Sequence, residues 1–155
     1  EPYTLKGLLW RAMFKKHYSE EKAEEFYRGF FKDRLIHHER IRKLVQENLL
    51  VITNRWHTSS MVYQGWKVSR VKRDMEILWP QPDMVLILDA DPSELTGRRS
   101  FDERKIRFLH TVRERYLKIA EEYDWRVIDT TRREPVEIAR EIAGLLRPLI
   151  KVRDK

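Results

Sequence analysis

The sequence predicts an α/β protein, a parallel sheet flanked by helices on both faces. Three short apolar runs carry this: LLVIT at 49–53, MVLIL at 84–88 and WRVI at 125–128. They end at Asn54, Asp89 and Asp129. Apart from Arg126 and the closing Thr53 they are continuously apolar rather than alternating, which marks strands covered on both faces, as in parallel sheets. Longer segments of helical periodicity separate them, and strands alternating with helices build α/β layers.

In chain order, Leu5–Lys16 reads as a short amphipathic helix and Glu20–Glu47 as a long one. Gly29 lies inside the second; a mid-helix glycine costs about 1 kcal/mol against alanine, so it marks a break or a close approach to a ligand. LLVIT is the first strand. Val68–Leu78 is a further helix, stopped by Trp79-Pro80, and MVLIL is the next strand. Glu103–Tyr123 places Ile106, Leu109, Val112, Tyr116, Ile119 and Tyr123 on one helical face. WRVI follows, then Val136–Leu149 with Ile138, Ile142, Leu145 and Leu149, and with Pro135 suited to its first turn. With neither a low-complexity linker nor an internal repeat, residues 1–155 read as one domain.

Composition narrows the function. The chain is 41% hydrophobic with five tryptophans, enough for a core, and has no cysteine. Disulfides and cysteine-based zinc sites are excluded, and the cytoplasm is the expected compartment. No apolar run approaches the roughly 20 residues that span a bilayer, and EPYTLKGLLWRAMF has no continuous apolar signal region, so no membrane role is expected. Charged residues make up 37%, with net charge +7 and pI 9.7. Arg and Lys are mixed with Glu along helical faces such as SEEKAEEFYRG and EIAREIAG. This disfavours nucleic acid as partner and suits phosphorylated small substrates. Abundant Glu, Lys and Arg without cysteine also fits a thermophilic source.

The densest candidate site is Val51–Gly65, VITNRWHTSSMVYQG, read as a buried strand delivering a polar loop at its carboxyl end. Ligands of open α/β sheets sit at that edge. Arg55, just past the strand, is placed either to clamp a phosphate bidentately or to pair with a surface carboxylate. Ser59, Ser60, Tyr63 and Gln64 add the hydroxyls and amide that give pockets their specificity. His57 could touch a ligand there, but no Cys or His cluster supports a metal. Phe30 and Arg34 share a helix face at i, i+4 spacing. They suit a flat heterocycle, by stacking and by donation to a ring oxygen; on spacing alone an ordinary core Phe and a solvated Arg is the favoured reading. Arg98 and Arg99, in GRRSFDERK at 97–105, read either as mobile arginines over a phosphate chain or as a solvated loop. The His37-His38 doublet points about 100° apart on a helix and makes a poor metal pair.

Taken together, these motifs resemble the thymidylate kinase family. Asn54–Gly65 is similar to the family's D-R-Y-x-x-S-S-x-A-Y-Q-G without a gap, FFKDR to L-F-A-A-D-R, and the opening Glu1-Pro2 to the end of R-E-P. PDMVLILDADP at 82–92 resembles P-D-L-T-I-Y-L-D-x-D-P, FLHTVRERYLKIAEE the helix after the lid, and RVIDTT the V-I-D-A turn near the adenine site. The resemblance runs the length of the chain, in order. It implies a P-loop kinase-like fold and transfer of the γ-phosphoryl of ATP to dTMP, with Mg²⁺, in a homodimer. Arg55 would bind the acceptor phosphate, Phe30 stack on thymine, and Arg34 contact its exocyclic oxygen. Ser60 would sit near the base edge and Tyr63 near the sugar. Arg98 and Arg99 would be the lid arginines, and Asp129, Thr130 and Thr131 would lie in the ATP adenine region.

Two departures stand out. Asn54 occupies the place of the family's Asp, leaving an amide that can accept from a metal-bound water but brings no charge. The donor-phosphate motif G-x-x-x-x-G-K-[ST] is absent, since Gly7, Gly29, Gly65, Gly97 and Gly144 are the only glycines. In the family that loop follows the first strand and precedes R-E-P. The expectation is therefore an N-terminally incomplete chain, lacking the first strand and P-loop, that binds dTMP with weak or no ATP turnover.

Overall fold

The computed structural model describes residues 4–17, 19–47, 50–65, 69–77, 80–95 and 103–152. It divides into two compact units, Glu1–Gln81 and Pro82–Lys155. No helix among the described residues is long and apolar enough to cross a membrane.

In the first unit, α1 (Leu5–His17) and α2 (Ala23–Glu47) pack together, with a 3-10 turn at Glu20–Lys22 between them. α1 starts at Thr4, whose Oγ1 accepts from the Gly7 amide at 3.0 Å. Such a cap is worth about 1 kcal/mol. The cap is itself held, because the Thr4 amide and hydroxyl both donate to Asp33 Oδ1, at 2.7 and 2.6 Å. Asp33 is buried on α2 along with Ala23, Phe26, Tyr27, Gly29 and Ile41, a spacing that keeps one stripe inward. Gly29 does not break α2. It is where the helices touch: a Cβ there would overlap the Trp10 indole, and one at Gly7 would overlap the Asp33 carboxylate.

The expected first strand is not formed. Residues 50–53 lie in no strand; Leu50 and Ile52 are exposed, and among the described residues no strand of this unit runs beside them. An apolar run becomes a strand only when a neighbour takes up its backbone groups. The polar stretch after it is not a loop either. After a bend at Asn54-Arg55, His57–Tyr63 forms a short helix, α3. Its buried positions are His57, Ser60, Met61 and Val62, with Gln64 beyond its end, and all but Val62 fall at helical spacing. Three of the five are polar, which hid the periodicity from hydropathy.

The last helix of this unit, α4 (Arg70–Glu76), lies inside the expected 68–78 segment. The fully buried Tyr27 ties α2 to it, donating its hydroxyl to Asp74 Oδ2 at 2.7 Å. Burial first, and then that carboxylate, hold the Tyr27 phenol well above its ordinary range. The Arg70 guanidinium lies over the Tyr27 ring at 5.4 Å and pairs with Glu24 at 2.7 Å.

The second unit is a parallel βαβ arrangement. β1 (Leu86–Asp89) pairs with β2 (Arg126–Asp129), Leu86 opposite Arg126 and Asp89 opposite Asp129. α5 (Glu103–Glu122) connects them and packs on both, burying Val112, Ile119 and Ala120. It ends in a Schellman motif: Trp125 N–H bonds to the Ala120 carbonyl at 2.7 Å and Asp124 N–H to Glu121 at 3.4 Å, with Asp124 left-handed at φ 52°. The strands are less covered than their apolar runs predict, Leu88 being 55% and Val127 40% exposed. Among the described residues no third strand flanks them. α6 (Pro135–Val152) closes the unit; Pro135 occupies its first position.

Candidate functional site

Four of the residues singled out for an acceptor nucleotide come together in the first unit. On α2, Phe30 and Arg34 lie one turn apart, with the guanidinium 5.9 Å from the Phe30 ring centroid. Arg34 Nη1 donates to Ser60 Oγ on α3 at 2.6 Å. Ser60 is fully buried, so its hydroxyl has the geometry and the dry surroundings to hold a charged donor. Tyr63 is joined through a residue that sequence reasoning missed. Phe14 of α1 packs edge-on against Phe30 at 5.7 Å, Tyr63 at 5.5 Å and Phe26 at 5.4 Å. One aromatic ring thus keys the Phe30 face to the Tyr63 face. Nothing in the spacing of Phe14 marks this role, because it emerges only once α1 lies across α2.

Gln64 is 2% exposed at the end of α3, where the Gln64 and Gly65 amides both donate to the Ser60 carbonyl at 2.9 Å. Gly65 is required there, since a Cβ would overlap the Met61 carbonyl. Ser59 is half-buried on the same helix. Asn54 and Arg55 are exposed at the bend before α3, and Arg55 takes a left-handed φ of 63°. That conformation costs a non-glycine residue about 1 kcal/mol or more, and such costs concentrate at functional sites.

His57 is 5% exposed, and among the described residues its Nδ1 has no hydrogen-bond partner. Burial first, then the nearby Arg34 charge, push its pKa down to about 4. Trp56 bridges His57 and His37, edge-on to both, at 6.3 and 5.4 Å. The His37 imidazole is also pushed down, by burial, against the opposing pull of Asp33. Among the described residues no three metal-ligating side chains converge.

In the second unit the strand ends gather charge. Arg113 of α5 binds Asp89 bidentately, at 2.8 Å through both Nε and Nη2. Asp91 follows, its carboxyl held below the usual range by the Ser93 hydroxyl. Thr130 donates both its amide and its hydroxyl to the Asp89 carbonyl, at 2.8 and 2.7 Å. The Thr131 amide donates to Asp129 Oδ1 at 2.8 Å, and Thr131 lowers the Asp129 pKa. The residues picked for the adenine region therefore build the turn that locks β2 onto β1. Arg98 and Arg99 lie outside the described residues.

A parallel βαβ unit with polar side chains at its strand ends is an α/β arrangement, consistent with a P-loop kinase-like fold. The family profile described as Thymidylate kinase matches residues 2–142. The chain is 38% identical over 132 residues to a probable thymidylate kinase of Pyrobaculum aerophilum, covering 79% of this chain and 67% of that protein. A probable thymidylate kinase of Caldivirga maquilingensis is 37% identical over 112 residues, 66% of this chain and 55% of its own length. Probable thymidylate kinase 1 of Saccharolobus solfataricus is 34% identical over 109 residues, 66% and 57% of the two chains. The chain belongs to the thymidylate kinase family. It spans between about half and two thirds of the length of these relatives.

Proposed function

We propose that the protein to which these residues belong phosphorylates dTMP to dTDP at the expense of ATP, and that the first unit carries the acceptor pocket. The observation that supports this most directly is the Arg34–Ser60 hydrogen bond beside Phe30. It sets a charged donor at the edge of an aromatic face, the arrangement a pyrimidine carbonyl and ring require. In this reading Phe30 stacks on the base, Arg34 meets its exocyclic oxygen, Ser60 fixes Arg34, and Tyr63 lines the sugar. Arg55 takes the acceptor phosphate, with Ser59 and Gln64 shaping the pocket wall. Arg98 and Arg99 serve the transferring phosphoryl group, and Asp129, Thr130 and Thr131 border the adenine. Both units would belong to one catalytic domain, in keeping with a family match that runs through each of them. Phosphoryl transfer asks the protein mainly for positioning and charge neutralisation.

Magnesium in such reactions is held largely by phosphate oxygens and water, with few protein ligands. The exposed Asn54 amide fits an outer position, accepting from a metal-bound water. When bound, the ion would offset charge on the phosphates; the protein's own charge at that end of the site comes from arginines.

Titration calorimetry with dTMP tests the pocket. The chain is expected to bind, and Arg34→Ala to weaken binding at least about tenfold, roughly 1.4 kcal/mol. A folded sample that shows no heat with dTMP would remove the pocket. Asn54 favours a second reading, a nucleotide-binding relative with impaired catalysis. Asn54→Asp in the full-length protein separates the two: a large gain in Mg²⁺-dependent turnover favours impairment, and unchanged turnover means the amide suffices.

A further inference from the structure

α1 and α2 meet along a ladder of contacts that runs in opposite directions on the two helices. Thr4 and Gly7 meet Asp33, Trp10 meets Gly29 and Phe26, and Phe14 meets Phe26 and Phe30. Phe14 also reaches Tyr63 of α3. The two ends of the ladder differ in kind. At the Phe14 end the contacts are edge-on ring pairs, which tolerate centroid separations of roughly 4.5–7 Å. At the Thr4 end they are directional. Asp33 Oδ1 accepts from the Thr4 amide at 2.7 Å and from its hydroxyl at 2.6 Å, and the Thr4 Oγ1 accepts from the Gly7 amide at 3.0 Å. Apolar packing has no preferred direction, whereas a hydrogen bond does. Ring contacts alone would let α1 slide or turn, by about 1.5 Å or about 100° for a one-residue step. The three hydrogen bonds fix it in both senses.

We propose that Thr4 and Asp33 are positioning residues for the acceptor pocket: their hydrogen bonds set the rotation and height of α1, and so the place of the Phe14 ring between Phe30 and Tyr63. Phe14 lies ten residues beyond Thr4, roughly 15 Å along the helix, so Thr4 works through Phe14 rather than on the ligand. Gly7 keeps the clamp closed, because a side chain there would overlap the Asp33 carboxylate. In the acceptor reading Phe30 stacks on the base and Tyr63 lines the sugar. The inference rests on that reading, since Phe14 then sets the gap between the two walls. A misplacement of about 1 Å is enough to weaken a site that depends on positioning.

The test compares Thr4→Val with Thr4→Ser in the full-length protein, folding being checked by circular dichroism. Valine keeps the size of threonine and removes the hydroxyl; serine keeps the hydroxyl. The first readout needs no ligand. In fluorotyrosine-labelled protein, with the Tyr63 ¹⁹F line assigned by Tyr63→Phe, T4V is expected to displace that line and T4S to return it to the wild-type position. Calorimetry with dTMP is the second. T4V is expected to lose at least about fivefold in affinity while remaining folded, and T4S to recover most of that loss. An unmoved Tyr63 line or wild-type affinity in T4V, or equal effects in the two variants, overturns the proposal. Should T4V fail to fold, Gly7→Ala opens the same contact from within α1, and the same outcomes apply. Absence of dTMP binding in the wild type would instead reject the acceptor reading, with the Tyr63 line still reporting whether Thr4 sets the place of Phe14.

Discussion

Arg34 derives its fixed position from short-range partners, the Ser60 hydroxyl and the Phe30 face, and its charge then acts on a buried neighbour. The consequence for His57 is a stability that depends on acid. Its folded-state pKa of about 4 lies below the ordinary 6.5 of the unfolded chain. Below pH 6.5 the unfolded state therefore takes up a proton that the folded state refuses. Its contribution is complete above that value and lost as the pH falls towards 4, by on the order of 3 kcal/mol at most. Asp91 and Asp129, with pKa values lowered by Ser93 and Thr131, lose stability in the same direction, so the wild type alone cannot isolate the histidine. The difference between wild type and His57→Gln does. Urea unfolding at about pH 7.5 and about pH 4.5 should show the smaller acid loss in H57Q. Equal losses in both proteins would mean that His57 does not titrate in this window.

At the scale of elements, the first unit turns on how closely α1 approaches α2. Gly29→Ala sets two effects against each other. Alanine favours the helix by about 1 kcal/mol. Against that, its methyl would overlap the Trp10 indole, which already packs edge-on against Phe26 at 5.8 Å. Overpacking a rigid contact costs about 1–3 kcal/mol, so net destabilisation is expected in denaturant titrations. A variant as stable as the wild type would show that the ring can move aside. Gly29 also shows how far the sequence could be read. Its helix was legible from periodicity, but the two meanings read for the glycine were a break or a close approach to a ligand, whereas it is the Trp10 ring that comes close, a neighbour that spacing could not foresee. β1, β2, α5 and α6 were legible because apolar runs and stripes carry their own period. α3 was not, because His57, Ser60 and Gln64 are polar side chains that are nevertheless buried, so hydropathy does not mark its inward face. LLVIT misled for the opposite reason: its side chains suit a strand, yet a strand is defined by partners that the run itself does not specify. Phe30, Arg34, Ser60 and Tyr63 could be picked out one at a time. The ring that joins them, Phe14, and the clamp that seats α1, Thr4–Asp33, are products of tertiary contact.

For the whole molecule, the homodimer expected from the family likeness needs a face that pairs with itself. α1 offers one. Gly7, Trp10 and Phe14 face α2, and on other sides of the helix Leu5, Leu8, Leu9 and Met13 are 75, 50, 59 and 43% exposed. Single exposed leucines need no explanation, but a contiguous apolar row marks an interaction surface. The row is flanked by the exposed Lys6, Lys16 and His17, and no acidic residue occurs between Thr4 and Ser19. Two parallel copies of α1 would stack these like charges. An antiparallel pairing likewise sets Lys6 of one copy beside Lys16 of the other, so charge favours neither direction, and the leucine row alone carries the expectation of a two-fold, isologous pairing. Sedimentation velocity at tens of micromolar should therefore show a dimer. Leu9→Glu, which places a carboxylate near the middle of the row, should shift it to monomer without disturbing the Arg34–Ser60 contact. A wild-type chain that sediments as a monomer, or an L9E variant that remains dimeric, would show that α1 is not the pairing face.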